Sequence, residues 1–381
     1  MLPRPEPASP DSEQFAARIA AAGEIYNDAN VAAIYCVHGT FAGTDTFGML
    51  TELARYAPAL GEGLQHARKR VFDFFARETG NYTPRFAKDF ETALSGRLSR
   101  KWPIPVHLFN WSGLNNHIGR ADGAIRLLIQ LADHATNTPE ALDHPLRPRF
   151  QLWGHSHGGN VLALLANLLA AGEKARGHFF THSQRYYKSW NSKDVSLPAW
   201  EQARAILADG AHPLRSWKVD YVTFGTPLRY AWPESTDKLL SFVNHRPEAT
   251  PLRATSSSEK GDANYLGPQQ FHPLQLACAT AGDYVHQVGI AGTNFPPVPF
   301  ALRMLLADLS LAKLLEADLE SEWLLSRIHH GRRVAGSGTT LLVDYHDQGL
   351  RPWHHILGHA VYTRRQWLAL HCEEVARVFY A

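Results

Sequence analysis

Short, almost continuously apolar runs alternate along this chain with longer stretches in which apolar residues recur at every third or fourth position. The clearest run, Val31 to Val37 (VAAIYCV), stops at His38-Gly39. A run without polar alternation reads as a strand covered on both faces, the environment of a parallel sheet. Pro105 to Asn110, Arg149 to Trp153, Val219 to Phe224, Leu239 to Val243 and Thr339 to Tyr345 are similar, short, rich in aromatic or β-branched residues, and followed by turn residues. Between several of them lie helical patterns. Ala121 to Ala132 and Val161 to Ala171, the latter stopped by Gly172, carry apolar residues at helical spacing, and WLALHCEEVARVF reads as a terminal helix. Alternating strands and helices predict an α/β fold whose mainly parallel sheet is flanked by helices.

Three stretches interrupt that alternation, at about 47–101, 172–214 and 246–334. The second is aromatic and charged (HFFTHSQRYYKSW); the third contains a proline-rich turn, NFPPVPF, followed by the helical LRMLLADLSLAKLLEADL. Insertions of this length usually fold as caps or lids over a site. The expected organisation is a disordered N-terminal decapeptide, 1–10, and a single elaborated domain over 11–381.

Composition narrows the function classes. Apolar residues at 45% and charged residues at 19% describe an ordinary globular chain. A net charge of +2, with no block of Lys and Arg, gives no footprint for nucleic acid. Cys36, Cys278 and Cys372 form no CxxC pair, and a reducing compartment is expected. The N-terminus (MLPRPEPASPDSEQF) has prolines and acids where a secretory signal needs a basic cap and an apolar run, so a cytoplasmic location is expected, with export by another route left open. No apolar stretch reaches the roughly 18 residues of a membrane span, so a lipid would be met at a surface or in a pocket. Histidine is abundant, at 21 residues, but no HExxH-type spacing occurs and no metal is expected.

The chemistry concentrates at Gly154-His155-Ser156-His157-Gly158. This G-x-S-x-G falls where a strand run ends and a helical run begins, the placement a nucleophile elbow requires. There Ser156 would be held strained with its hydroxyl aimed away from the sheet, and the His157 N–H would lie at a helix start whose dipole favours an oxyanion. His38-Gly39-Thr40-Phe41-Ala42-Gly43 follows the first buried strand, as an oxyanion loop would. The expected donor there is the Thr40 N–H, with that of Phe41 as the alternative, and His38 reads as a loop-stabilising residue rather than the base.

These motifs, VHGTFAG, GHSHGGNV and FGTPLRY, resemble the α/β-hydrolase superfamily, and within it the bacterial lipase and esterase-like members, over about half the chain. The resemblance implies a parallel sheet, a Ser–acid–His triad in that chain order, and no cofactor. Only about thirty residues precede the first buried strand, so the antiparallel strands that open the family's sheet are expected to be missing or reduced. The base should follow the last strand, where His346, His354, His355, His359 and His371 are available. Thr363-Arg-Arg-Gln366 reads as a capping box opening the terminal helix, which leaves His359 in the loop before it and makes it the choice. For the acid, Asp283 in ATAGDYVHQVG resembles the family's Gly-Asp; Asp344, at the end of the last strand, is the alternative, and Glu248 lies nearest the end of LLSFV.

His38, Phe41, Trp111, Asn115, Arg120 and His155 are the candidate substrate-lining residues, Arg120 with an equal reading as a residue that pins a loop or pairs with an acid. The expected activity is hydrolysis of an acyl ester, probed first as a lipid-type ester because the resemblance and the aromatic and aliphatic insertions suit an apolar acyl pocket. Two other readings stay open, a phospholipase used as an antibacterial effector with a cognate protein partner, and a hydrolase-like scaffold kept for binding alone.

Overall fold

The structure, a computed structural model, describes residues 5–40, 80–97, 103–138, 141, 143–188, 197–234, 236, 238–246, 254–255, 263–266, 273–288, 294, 297, 301–315, 332–346 and 352–381. Five central strands come first, β1 (Val31–Val37), β2 (Val106–Phe109), β3 (Arg149–His155), β4 (Lys218–Phe224) and β5 (Leu239–Asn244). The third insertion then contributes β6 (Ala254–Thr255), β7 (Ala263–Leu266) and β8 (Arg332–Ala335), and β9 (Thr339–Val343) returns to the central sheet. That sheet has the order β2-β1-β3-β4-β5-β9 with every described pairing parallel. No antiparallel strand joins it among the described residues. The strands match the apolar runs because their alternate residues enter opposite layers: Tyr35 and Val37 pack in one core, Ile34 and Cys36 in the other.

Helices fill both layers. On one face lie α1 (Glu13–Asp28), α2 (Pro84–Ser95) and the terminal helix; on the other lie α3 (His117–Asn137), α4 (His157–Ala170), α5 (Glu173–Tyr187), α6 (Pro198–Ala208) and α7 (Leu302–Leu315), with α8 (Leu368–Phe379) as that terminal helix. No described helix is long and apolar enough to cross a membrane.

Three features differ from expectation. Ala8, in the decapeptide read as disordered, donates its N–H to the Gln366 carbonyl at 3.1 Å and packs against the core. The third insertion holds a three-stranded antiparallel sheet, β6-β7-β8, besides the expected helix α7. The capping box does not form. Thr363 Oγ1 donates to the Ala360 carbonyl at 3.3 Å, closing a short 3-10 turn, and α8 starts only after Trp367.

Candidate active site

The carboxyl ends of the parallel strands share one edge, because Val37 is registered with Phe109 and Gly154, and His155 with Phe224. Ser156 is the single residue between β3 and α4, at φ 53° and ψ −128°. A side chain rarely tolerates this positive φ; such strain persists only where the surroundings enforce it, and it is common at functional sites. Here the enforcement is visible. The Ser156 N–H donates to the Phe224 carbonyl at 2.9 Å, and a methyl group at Gly158 would overlap the Val37 carbonyl, so only glycine lets α4 start this close to β1. Gly39 abuts the serine as well, since a Cβ there would lie 2.7 Å from Ser156 Cβ. The His38-Gly39-Thr40 loop therefore runs directly beside Ser156. Phe41 lies outside the described residues.

His359 and Asp283 meet at the same edge. His359 Nδ1 is 2.7 Å from Asp283 Oδ2, with the carboxylate fully buried and the imidazole nearly so. A carboxylate can only accept, so Nδ1 carries the proton and Nε2 the lone pair. Burial alone would raise the Asp283 carboxyl, but His359 beside it, with a further contribution from His286, outweighs burial and holds it below the usual carboxylate range. Asp283 also accepts from Tyr362 Oη at 2.9 Å and from the His286 N–H at 2.9 Å. The two loops interlock through their backbones: Tyr284 N–H donates to Leu357 O at 2.9 Å and Asn244 Nδ2 to Gly358 O at 2.9 Å. Ile356, Leu357 and Gly358 all have positive φ, the tight turn that presents His359.

The base candidate also reaches the elbow. His155 Nε2 is 3.1 Å from the His359 carbonyl, and the two rings lie 4.7 Å apart. Burial lowers the His155 pKa to about 3, so it is neutral. His359 Nε2 is buried and has no hydrogen-bond partner among the described residues. No hydrogen bond joins Ser156 to His359 in this structure.

The other candidates go elsewhere. Asp344 Oδ1 accepts from Arg246 Nε at 3.0 Å in a buried ion pair that closes the start of the third insertion onto the end of β9, and His346 lies 3.6 Å from its other oxygen. His354 is exposed, His355 Nδ1 accepts from the Gly358 N–H, and His371 is buried on α8 against Tyr345. Glu248 lies outside the described residues.

Compared with known proteins, the chain matches no family model, no curated protein and no solved structure.

Phe41 apart, the residues read as substrate-lining, His38, Trp111, Asn115, Arg120 and His155, are buried and engaged internally. His38 Nδ1 lies 2.8 Å from the Gly39 carbonyl and its Nε2 accepts from the Trp111 N–H at 3.3 Å, while Trp111 Nε1 donates to the His38 carbonyl at 2.8 Å. This interlock pins the loop beside Ser156. Arg120 is wholly buried and donates to Tyr230 Oη, Asn115 Oδ1 and Asn294 Oδ1 at 2.9, 3.0 and 2.7 Å. Among the described residues it forms no ion pair, and its bonds tie the Asn115 loop to Tyr230 and Asn294. Sequence reasoning missed Tyr362, Tyr230, Asn160 and Asp308. Tyr230 and Asn160 close the quoted motifs FGTPLRY and GHSHGGN, which was the available signal; Tyr362 and Asp308 had none. No group of three or more His, Cys, Asp or Glu side chains is arranged to hold a metal among the described residues.

Proposed function

We propose that this chain is a serine ester hydrolase of the α/β-hydrolase type, cleaving a carboxylic, lipid-type ester through an acyl-enzyme. The observation that carries the proposal is the strained Ser156 at the strand-to-helix turn, with the His359–Asp283 pair packed against the same elbow through His155. Ser156 Oγ attacks the carbonyl carbon and its proton passes to His359 Nε2. The imidazolium so formed is stabilised by ionised Asp283, and the N–H groups of Thr40 and His157 are the assigned oxyanion donors. Collapse of the tetrahedral species expels the alcohol, which takes the proton from His359. Water then attacks the acyl group by the same route and releases the acid. The scheme needs no cofactor. A purely binding role leaves the strained serine and the buried carboxylate–imidazole pair without a purpose, and nothing in the chain favours the effector reading over the simpler one.

Chromogenic esters of increasing acyl length and a fluorophosphonate probe test the proposal. The parent should be labelled and should hydrolyse the esters; Ser156→Ala should lose labelling and several orders of magnitude in turnover while folding normally. A variant within tenfold of the parent overturns the reading.

A further inference from the structure

Next to the nucleophile, the His157 ring carries a polar atom for which the protein supplies no partner. The residue is almost wholly buried; Asn160 Nδ2 and Arg120 Nη1 approach its Nδ1 at 3.0 and 3.3 Å, while Nε2 has no hydrogen-bond partner among the described residues. The donor and acceptor roles follow from the neighbours. A guanidinium only donates. The Asn160 amide is oriented by two backbone groups, because its Oδ1 accepts from the Arg229 N–H at 3.0 Å and its Nδ2 donates to the Pro227 carbonyl at 2.9 Å. Both groups facing Nδ1 are therefore donors, so Nδ1 holds a lone pair and the neutral ring carries its proton on Nε2. Burial, then the charges of Arg120, Arg229 and His359, hold the ring's pKa well below that of a free imidazole. Ser156 is the residue immediately before His157, which opens α4.

A buried N–H without an acceptor costs free energy, and although other buried polar atoms of this protein, such as Trp217 Nε1 and Trp367 Nε1, also lack a partner among the described residues, this one belongs to the residue that directly follows Ser156. We propose that the His157 side chain contacts substrate, its Nε2–H donating to the carbonyl oxygen of the ester as that oxygen gains charge, and that Arg120 and Asn160 are positioning residues that hold the ring in this tautomer. The inference rests on the ester-hydrolase reading of Ser156 and adds a side-chain donor to the backbone donors assigned there. Every acceptor that Arg120 bonds among the described residues is uncharged, so its positive charge stays behind Nδ1 and polarises the ring toward Nε2. Through Asn294, whose Nδ2 donates to Asp308 Oδ2 at 3.0 Å, the same guanidinium is tied to α7 of the third insertion.

Two measurements on the full chain decide it. In the parent labelled with 15N-histidine, with His157→Gln identifying the signal, the His157 ring should show Nε2 protonated and Nδ1 bare from about pH 5 to about pH 8. Its Nε2–H resonance should move when a boronic acid adds to Ser156. The opposite tautomer, or no response to the boronate, overturns the proposal. In ester hydrolysis, His157→Phe should lower kcat by about a hundredfold with KM within about threefold, the signature of a lost transition-state contact. His157→Gln, which keeps an acceptor and a donor, should recover to within about tenfold of the parent. Arg120→Met should lose a similar factor, and the double variant should be no worse than either single change. Full kcat in His157→Phe, or additive losses, overturns the proposal. Fluorophosphonate labelling separates the two readings. An unlabelled parent removes both, whereas a labelled parent with an indifferent His157→Phe removes only this one.

Discussion

Acidification is the perturbation with the largest calculable effect on this fold. His117, His155 and His371 are each at most 2% exposed, and burial is the first cause that brings each pKa down to about 3. Unfolded, each would titrate near 6.5. A lowered folded value means that the unfolded chain binds more protons between these limits, so stability rises with pH across the window and falls on acidification from about 6.5 toward about 3. For one such residue the linkage relation gives about 2 kcal/mol lost between pH 7 and pH 5, and for the three together about 6 kcal/mol, against a net stability of roughly 5–15 kcal/mol for a folded domain. Asp220, raised by burial, works in the opposite sense, while His107 and His157, also lowered first by burial, act in the same sense as the three. Urea denaturation followed by tryptophan fluorescence at pH 7 and pH 5 measures the difference. His371 isolates one share, being a core residue on α8 packed 4.7 Å from the Phe224 ring and 4.9 Å from that of Phe242. His371→Phe costs some stability at every pH by removing the partner of Tyr345, yet its loss between pH 7 and pH 5 should be smaller than the parent's by about 2 kcal/mol. A parent equally stable at both pH values, or a His371→Phe variant with the parent's pH dependence, refutes the reasoning.

The carboxylates separate by role. Asp283→Asn should lower kcat by roughly a thousandfold or more while the fold persists, because an amide holds the wrong imidazole tautomer; nearly full turnover would remove Asp283 from the triad. Asp344→Asn should instead lower stability, by up to about 3–5 kcal/mol, because it removes the carboxylate charge that faces the buried Arg246 guanidinium, with kcat changed far less, as read by urea denaturation and ester kinetics side by side. Gly39→Ala should reduce turnover by more than tenfold with a smaller effect on melting temperature, since the added methyl would sit 2.7 Å from Ser156 Cβ and displace the nucleophile or its loop; an unchanged kcat would show that the loop gives way freely.

Most of the sheet was legible because buried parallel strands have little choice of composition: Val31–Val37 must supply apolar groups to both layers, and no polar residue interrupts it. The elbow was legible for a related reason, since glycines at 154 and 158 are demanded by backbone contacts that no other residue permits. Residues joined only by tertiary folding were not. Asp344 directly follows β9 and Asp283 directly precedes a short helix, Tyr284–Val288, and it is the parallel placement of β9 beside β5, bringing Arg246 to Asp344 and the His359 loop to Asp283, that separates their roles. The strands β6, β7 and β8 are two to four residues long, too short for a period of two to show above the noise of a polar insertion. The capping box failed because Thr363 ends a short 3-10 turn, Val361–Thr363, and a second one, Arg365–Trp367, follows before α8 begins at Leu368, so Thr363 is not at the helix start.

Acid sensitivity and the proposed chemistry come from one cause. Imidazoles flank the elbow on both sides of Ser156, with the His155 ring tilted against that of His359 at 4.7 Å and His157 opening α4. Were these neighbours to titrate like free histidines, mild acid would gather positive charge around the base and oppose the imidazolium it must form in the proposed mechanism. Burial keeps His155 and His157 neutral, so that in the proposed mechanism proton transfer from Ser156 would add a single positive charge, set against the ionised Asp283. The same burial commits the native state to fewer bound protons than the unfolded chain, which is the acid lability worked out above. A site made quiet electrostatically in this way therefore has to lie in a fold that loses stability below neutrality. Replacing His155 with Phe should relieve part of that lability, and lower kcat at neutral pH by removing the hydrogen bond from Nε2 to the His359 carbonyl that holds the base against the elbow. Urea denaturation at pH 7 and pH 5 beside ester kinetics at pH 7 reads both effects; a variant that gains acid stability with undiminished kcat would mean that His155 is a core residue with no part in positioning His359.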